Sequence, residues 1–219
     1  MAHAAPGDRP AREVHCADAL EWLPTNPLSD DCALLTSLPD LSEFRRTTID
    51  EWVAWFDAAA EAVLRATPDG SVAMFYQSDV RLDGRWIDKG YLVQRAAERT
   101  GDSLQWHRIV CRAPAGTPTG RRPGYAHLLC FSRGFRAPEA DGAPDVVPEM
   151  GSMIWSRATG TAACEFALEW LRQHTKARVV VDPFCGHGTV LAIANRLGLG
   201  AIGVERSPGR AKKARQLQL

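Results

Sequence analysis

Apolar residues fall into two alternating rhythms along the chain. Short runs rich in β-branched and aromatic residues recur at 13–16 (EVHC), 32–37 (CALLTS), 71–77 (SVAMFYQ), 104–112 (LQWHRIVCR), 126–132 (AHLLCFS), 178–182 (RVVVD) and 201–205 (AIGVE). Their length and flanking turn residues predict seven strands. Between them the spacing becomes helical. Trp52, Val53, Trp55, Phe56, Ala60 and Val63 form one apolar stripe, preceded by Thr48 and Glu51 at capping-box spacing and ended by Pro68-Asp69-Gly70. Further helices are predicted over 86–100, stopped by Gly101, over 162–174, over 189–198 with Gly198 near the C-cap, and from Pro208 onward.

Strands alternating with helices imply an α/β sheet covered on both faces. No helix separates 104–112 from 126–132, so these two should form an antiparallel hairpin with a long loop. Residues 80–85 (VRLDGR) and the proline- and acid-rich stretch 136–151 read as loops, the second a mobile one. The first eleven residues read as a disordered tail and 12–219 as one domain, with halves 12–135 and 152–219 either side of the mobile loop.

Composition narrows the function classes. Lysine plus arginine equals aspartate plus glutamate at 26 each, which argues against a protein coated in basic residues but leaves room for a local patch. Six cysteines form no CxxC pair and sit mostly in apolar runs, as buried thiols do in a reducing compartment. The six histidines do not cluster as zinc ligands would, so no metal is expected. No apolar run approaches the roughly 18 residues that span a membrane, and no signal peptide is visible, so the expected location is the cytoplasm.

The chemistry concentrates in DPFCGHGT, Asp182 to Thr189, between a β-branched strand and a helix. Gly186 and Gly188 lack a Cβ, so the backbone can turn sharply and approach a ligand. Free N–H groups of the helix N-terminus lie beside them. Glu205 ends the next strand, where a carboxylate can hold both hydroxyls of a ribose. Leu191 takes the third glycine's place in a dinucleotide fingerprint, and no GK[ST] of a P-loop is present.

DPFCGHGT resembles motif I of class I S-adenosylmethionine-dependent methyltransferases, in the form found in amino-methyltransferases acting on DNA and RNA. Residues 13–40 resemble the opening of the circularly permuted β-group of that family (N4-cytosine or N6-adenine type), where the catalytic motif comes first and the cofactor motif last. The resemblance implies a Rossmann-like fold with a seven-stranded, mostly parallel sheet and one antiparallel hairpin strand. In its strand order Glu205 would end the second strand, 13–16 would be the third, and Ser37 would lie beside Cys185 on neighbouring strands. It implies S-adenosyl-L-methionine as cofactor, held by Thr36, Asp182, Phe184, Cys185, Gly186, Gly188, Thr189, Glu205 and Arg206, with Asp18 on the adenine amine. A polar turn at 154–160 offers Arg157, Thr159 and Gly160 to the methionine carboxylate.

The family's catalytic S-P-P-Y is here Ser37-Leu38-Pro39-Asp40. In the family a side-chain oxygen and a proline carbonyl hold an exocyclic amine, and the aromatic stacks on the flipped base. The resemblance therefore assigns catalysis to Ser37, Pro39 and Asp40. Asp40 replaces the stacking ring with an acceptor or general base, or simply caps the next segment, since Asp40 to Glu43 has capping-box spacing.

Six arginines and no acid lie between residues 105 and 136. Arg112, Arg121, Arg122 and Tyr125, on or beside a Gly/Pro-rich loop, suit a phosphate backbone, and Tyr76, Trp86 and Trp106 suit base stacking. The alternative is a solvated hairpin whose arginines pair with the acids of 139–149. The expected function is methylation of a base nitrogen in nucleic acid, RNA (tRNA or rRNA) before DNA, with a homodimer or a specificity partner possible. A small-molecule methyltransferase and a decayed cofactor-binding partner subunit are the alternatives.

Overall fold

The side chain of Thr48 accepts from the backbone N–H of Glu51, and the Glu51 carboxylate accepts in return from Thr48. This capping box opens helix α2 (Ile49–Ala66), which buries Trp52, Phe56, Ala59, Ala60, Val63 and Leu64. The spacing of those apolar residues thus becomes one buried stripe. Truncating a side chain as enclosed as Trp52 costs about 3–5 kcal/mol.

The structure is a computed structural model that describes residues 11–120 and 122–219. Most of the expected tail lies outside the described residues. The strands are β1 (Arg12–His15), β2 (Cys32–Thr36), β3 (Ala73–Gln77), β4 (Val80–Leu82), β5 (Arg85–Ile87), β6 (Ser103–Cys111), β7 (Tyr125–Ser132), β8 (Val146–Val147), β9 (Val179–Asp182) and β10 (Gly200–Val204). The remaining helices are α1 (Ala19–Thr25), α3 (Lys89–Thr100), α4 (Thr161–His174), α5 (Thr189–Arg196) and α6 (Pro208–Gln216).

One sheet runs in the order β1-β10-β9-β2-β3-β7-β6-β8. Its first five strands are parallel, and β7 enters antiparallel to both β3 and β6. Central strands are apolar on both faces, as buried parallel strands must be. Leu34 and Leu35, Met74 and Phe75, Leu128 and Leu129, and Val180 and Val181 point to opposite sides. Leu35, Met74, Leu128 and Val180 join the core under α4 and α5. Leu34, Phe75, Leu129 and Val181 join the core under α2 and α3.

The expected strand order holds. β10 lies between β9 and β1, and β9 pairs with β2. Three expectations need correction. The sheet has eight strands instead of seven, because the segment read as a mobile loop contributes β8 alongside β6. That segment is tied down by Asp141, whose carboxylate takes both the Arg108 guanidinium and the Trp170 indole N–H. Residues 80–85 are no loop: they belong to the β4–β5 hairpin, turned through Asp83 and Gly84 at φ 47° and 76°. Two left-handed residues in sequence suit a tight hairpin. Helix α3 consequently starts at Lys89, capped by the Asp88 side chain, instead of at 86.

All six cysteines are free, four of them buried. Among the described residues no helix is long and apolar enough to cross a membrane.

Candidate active site

In parallel α/β sheets ligands bind beyond the carboxyl ends of the strands, where the order reverses. Here β2, β3, β9 and β10 all end at one cleft of about 340 Å³. β2 delivers Ser37 to Asp40, β3 delivers Ser78 and Asp79, β9 delivers Pro183, Phe184 and Gly186, and β10 delivers Glu205 and Arg206. Asp18, Tyr76, Arg112 and Arg122 line the same cleft. A smaller recess at its floor brings Ser37 together with Thr159, Asp182, Cys185 and Thr189. Ser37 and Cys185, expected side by side on neighbouring strands, both line it, just past the ends of the paired strands β2 and β9.

The glycine turn is built for close approach. At Gly186, φ is 55°, and a Cβ would stand 2.7 Å from the ring of Trp155. That ring also stacks on His187, with centroids 4.4 Å apart. The Thr36 hydroxyl donates to Oδ1 of Asp182 at 2.7 Å, and the Phe184 N–H donates to the same oxygen. Burial nonetheless pushes the Asp182 carboxyl up to about 7. Burial also raises Glu205, whose Oε1 accepts from Ser207 N–H. The Thr189 hydroxyl is buried without a protein partner. These features fit a ligand with hydrogen-bonding groups and positive charge: two buried carboxylates and one orphaned hydroxyl beside a tight glycine turn. Asp18 also caps α1 by accepting from Leu20 N–H, and Arg206 lies over the Phe44 ring.

In the Ser37–Asp40 segment the capping alternative falls. Asp40 does not cap: its side chain makes no cap hydrogen bond to the short 3₁₀ turn that follows. Instead its Oδ1 holds the ammonium of Lys89 at 2.5 Å. The Pro39 carbonyl accepts the indole N–H of Trp52 at 3.2 Å, which anchors the segment to α2.

The arginine patch divides. Arg108 is consumed by Asp141, and Arg133 by Asp69, Asp102 and the carbonyls of Leu64 and Thr67. For these two the pairing alternative holds, though only Arg108 uses an acid of the 139–149 stretch. Arg112 reaches the cleft on the Ser78 hydroxyl, and Arg122 lines it exposed. Arg121 lies outside the described residues. Tyr125 is not part of the cleft lining; its hydroxyl donates to Asp79. Trp106 is no stacking platform either, because its ring packs on Trp170 and under the Arg108 guanidinium. Trp86 stays half-exposed on the hairpin, its indole N–H on Asp79.

Sequence reasoning missed several residues. Asp79 is almost fully buried and receives four donors: Lys89 N–H, His127, Trp86 and Tyr125. Burial raises its carboxyl, and those donors outweigh the effect and bring it below the ordinary value. Asp79, Asp88 and His127 offer ligand atoms within 4.8 Å of one another. The saturation of Asp79 by donors makes the cluster a hydrogen-bonded brace under the cleft. Glu43 holds both Arg157 and Arg210 at 3.2 Å, joining the 3₁₀ turn, the 154–160 segment and α6 across the cofactor side. Acids and bases far apart in sequence carried no signal for these pairs.

No family model and no curated protein matches the sequence. Solved structures do match the fold. TTHA0409 from Thermus thermophilus, provisionally named a DNA modification methylase and solved with S-adenosyl-L-methionine, is 21% identical, with a TM-score of 0.71 over 94% of this chain and 92% of that one. PvuII DNA methyltransferase (cytosine-N4-specific) is 16% identical, with a TM-score of 0.71 over 95% and 88%. M1.HpyAVI, solved with SAM, is 14% identical, with a TM-score of 0.62 over 94% and 98%. The strand order, the glycine turn and these likenesses agree: the chain has the Rossmann-like fold of class I S-adenosylmethionine-dependent methyltransferases, in its circularly permuted order.

Proposed function

We propose that the protein is an S-adenosylmethionine-dependent N-methyltransferase acting on a base of nucleic acid, with DNA as the favoured substrate. One observation carries the reading: the glycine turn with Glu205 and the Ser37–Asp40 segment open into a single cleft at the switch of the sheet. The DNA named in the similar structures moves the preference away from the RNA expected from sequence.

Glu205 and Asp18 would hold the sugar and adenine ends of the cofactor, and the turn from Asp182 to Thr189 its methionine end. When bound, the cofactor supplies a methyl group on a positively charged sulfur. Ser37 and the backbone beside it orient the accepting amine, and burial behind Trp155 and Phe184 limits water. Ser37 and its neighbours would hold the nitrogen in line with that methyl, whose bond to sulfur would break, leaving its electron pair on sulfur, as the N–C bond forms. The nitrogen must then shed one proton, and Asp40, 40% exposed at the cleft, can accept it and release it to water. Arg112 and Arg122 offer positive charge to the phosphate backbone.

The test is methyl transfer from labelled cofactor to unmethylated genomic DNA, total RNA and a metabolite extract. Label in N4-methylcytosine or N6-methyladenine of DNA supports the reading. Label only in the metabolite fraction sinks it.

A further inference from the structure

Lys89 is 2% exposed, although lysine is almost never fully buried without a partner. It is the first residue of α3 and lines the cleft. Its backbone N–H is fixed on Asp79, itself held by His127, Tyr125 and Trp86, so the root of the side chain is rigid. Its ammonium meets Oδ1 of Asp40. An ammonium has three N–H donors and a carboxylate two oxygens. Among the described residues, no other acceptor sits on Nζ and no donor sits on Oδ2 of Asp40. The pair therefore leaves one acceptor and the remaining donors without a protein partner, on two residues that line the cleft with Ser37.

That pattern complements a particular edge. Adenine and cytosine each carry an exocyclic amine, a donor, beside a ring nitrogen, an acceptor. Resting on the nucleobase reading above, we propose that Asp40 and Lys89 together read this edge: Oδ2 of Asp40 accepts one N–H of the amine, and Lys89 donates to the neighbouring ring nitrogen. Two directional hydrogen bonds then do the holding that a stacked aromatic ring would otherwise do. A site built this way rejects an analogue that lacks one partner, because a buried polar group is left unpaired. Burial weakens the hold of Lys89 on its proton, partly offset by Asp40 and Asp79.

The test is a chemical cycle on the full chain. A short DNA duplex bearing the base methylated by the wild type is compared with the same duplex in which that ring nitrogen is carbon, as 1-deazaadenine or 3-deazacytosine. The rate constant kcat/KM is measured for the wild type and for Lys89→Met. The wild type should lose about tenfold to hundredfold on the analogue, the scale of one charge-assisted hydrogen bond. Lys89→Met should lose a similar factor on the natural duplex and nothing further on the analogue, while its cofactor affinity by calorimetry stays unchanged. Lys89→Arg, which keeps charge and donors, should restore sensitivity to the ring nitrogen. If the apolar variant does not fold, Lys89→Met combined with Asp40→Asn, which strands no charge, runs the same cycle against Asp40→Asn alone. Penalties that multiply in an active enzyme would overturn the inference alone. A wild type that methylates neither DNA nor RNA removes the nucleobase reading, and this inference with it.

Discussion

The hydroxyl of Thr36 donates to Oδ1 of Asp182 inside the sheet, joining the strand before the catalytic segment to the strand before the glycine turn. Asp182 Oδ1 also takes the Phe184 N–H, so the carboxylate shapes the turn as well as lining it. Burial raises this carboxyl from 3.8 to about 7. The folded state then binds its proton more tightly than the unfolded chain does. Stability contributed by the protonated form is complete below 3.8 and is lost as pH rises through about 7. Asp182→Asn keeps the oxygen that accepts both bonds and removes the buried charge. It should raise the melting temperature of the cofactor-free protein by several degrees at pH 8, with a much smaller gain at pH 5, and weaken cofactor binding. Equal melting curves for the two proteins at pH 8 would refute this account.

Glu205 follows β10 directly and lines the same cleft. Replacing it with alanine removes a charged acceptor and should weaken S-adenosylmethionine by about tenfold to hundredfold. Isothermal calorimetry measures this directly. Unchanged affinity means that the ribose is held elsewhere.

Arg112 and Arg122 are the cleft arginines of the basic stretch. Their replacement by serine should raise KM for nucleic acid while leaving cofactor affinity alone. Each phosphate left without its arginine should also flatten the dependence of log affinity on log salt by about one unit. A salt slope identical to that of the wild type would remove them from the interface.

Arg108 and Asp141 form an enclosed pair, with side chains 3% and 10% exposed. Asp141→Ala strands the guanidinium and frees the Trp170 indole N–H. It should cost about 3–5 kcal/mol in chemical denaturation, as breaking a buried pair does. The double variant Arg108→Met, Asp141→Leu should recover part of that loss. A single variant as stable as the wild type would show that the β8 segment is dispensable to the fold.

The central strands were legible because each reads as an apolar run of strand length; their order came from the resemblance that motif I carries. The β4–β5 hairpin was legible too, in the dipeptide Asp83-Gly84, but a stretch carrying two arginines and an aspartate reads as loop unless the turn residues are weighed first. β8 was not. Its two residues stand among prolines and acids, and only the distant partners Arg108 and Trp170 give it a place. The same holds inside the cleft. Ser37, Asp182 and Glu205 announce themselves through their motifs, whereas Lys89 at a helix start looks like any surface lysine. Its burial is created by Asp40, 49 positions earlier.

The bond between Thr36 and Asp182 spans 146 positions. Strand β9, at the middle of the sheet, is therefore synthesised long after β2, its partner there. Until it arrives, β2 carries an unpaired edge, with Ala33, Leu34 and Leu35 waiting for Val180 and Val181. Such a topology delays closure of the core until β9 has been made, which slows folding and leaves the earlier segment prone to association. The glycine turn and the Ser37–Asp40 segment consequently find their places together, and a chain truncated before residue 179 holds Ser37–Asp40 without the strand that sits beside β2.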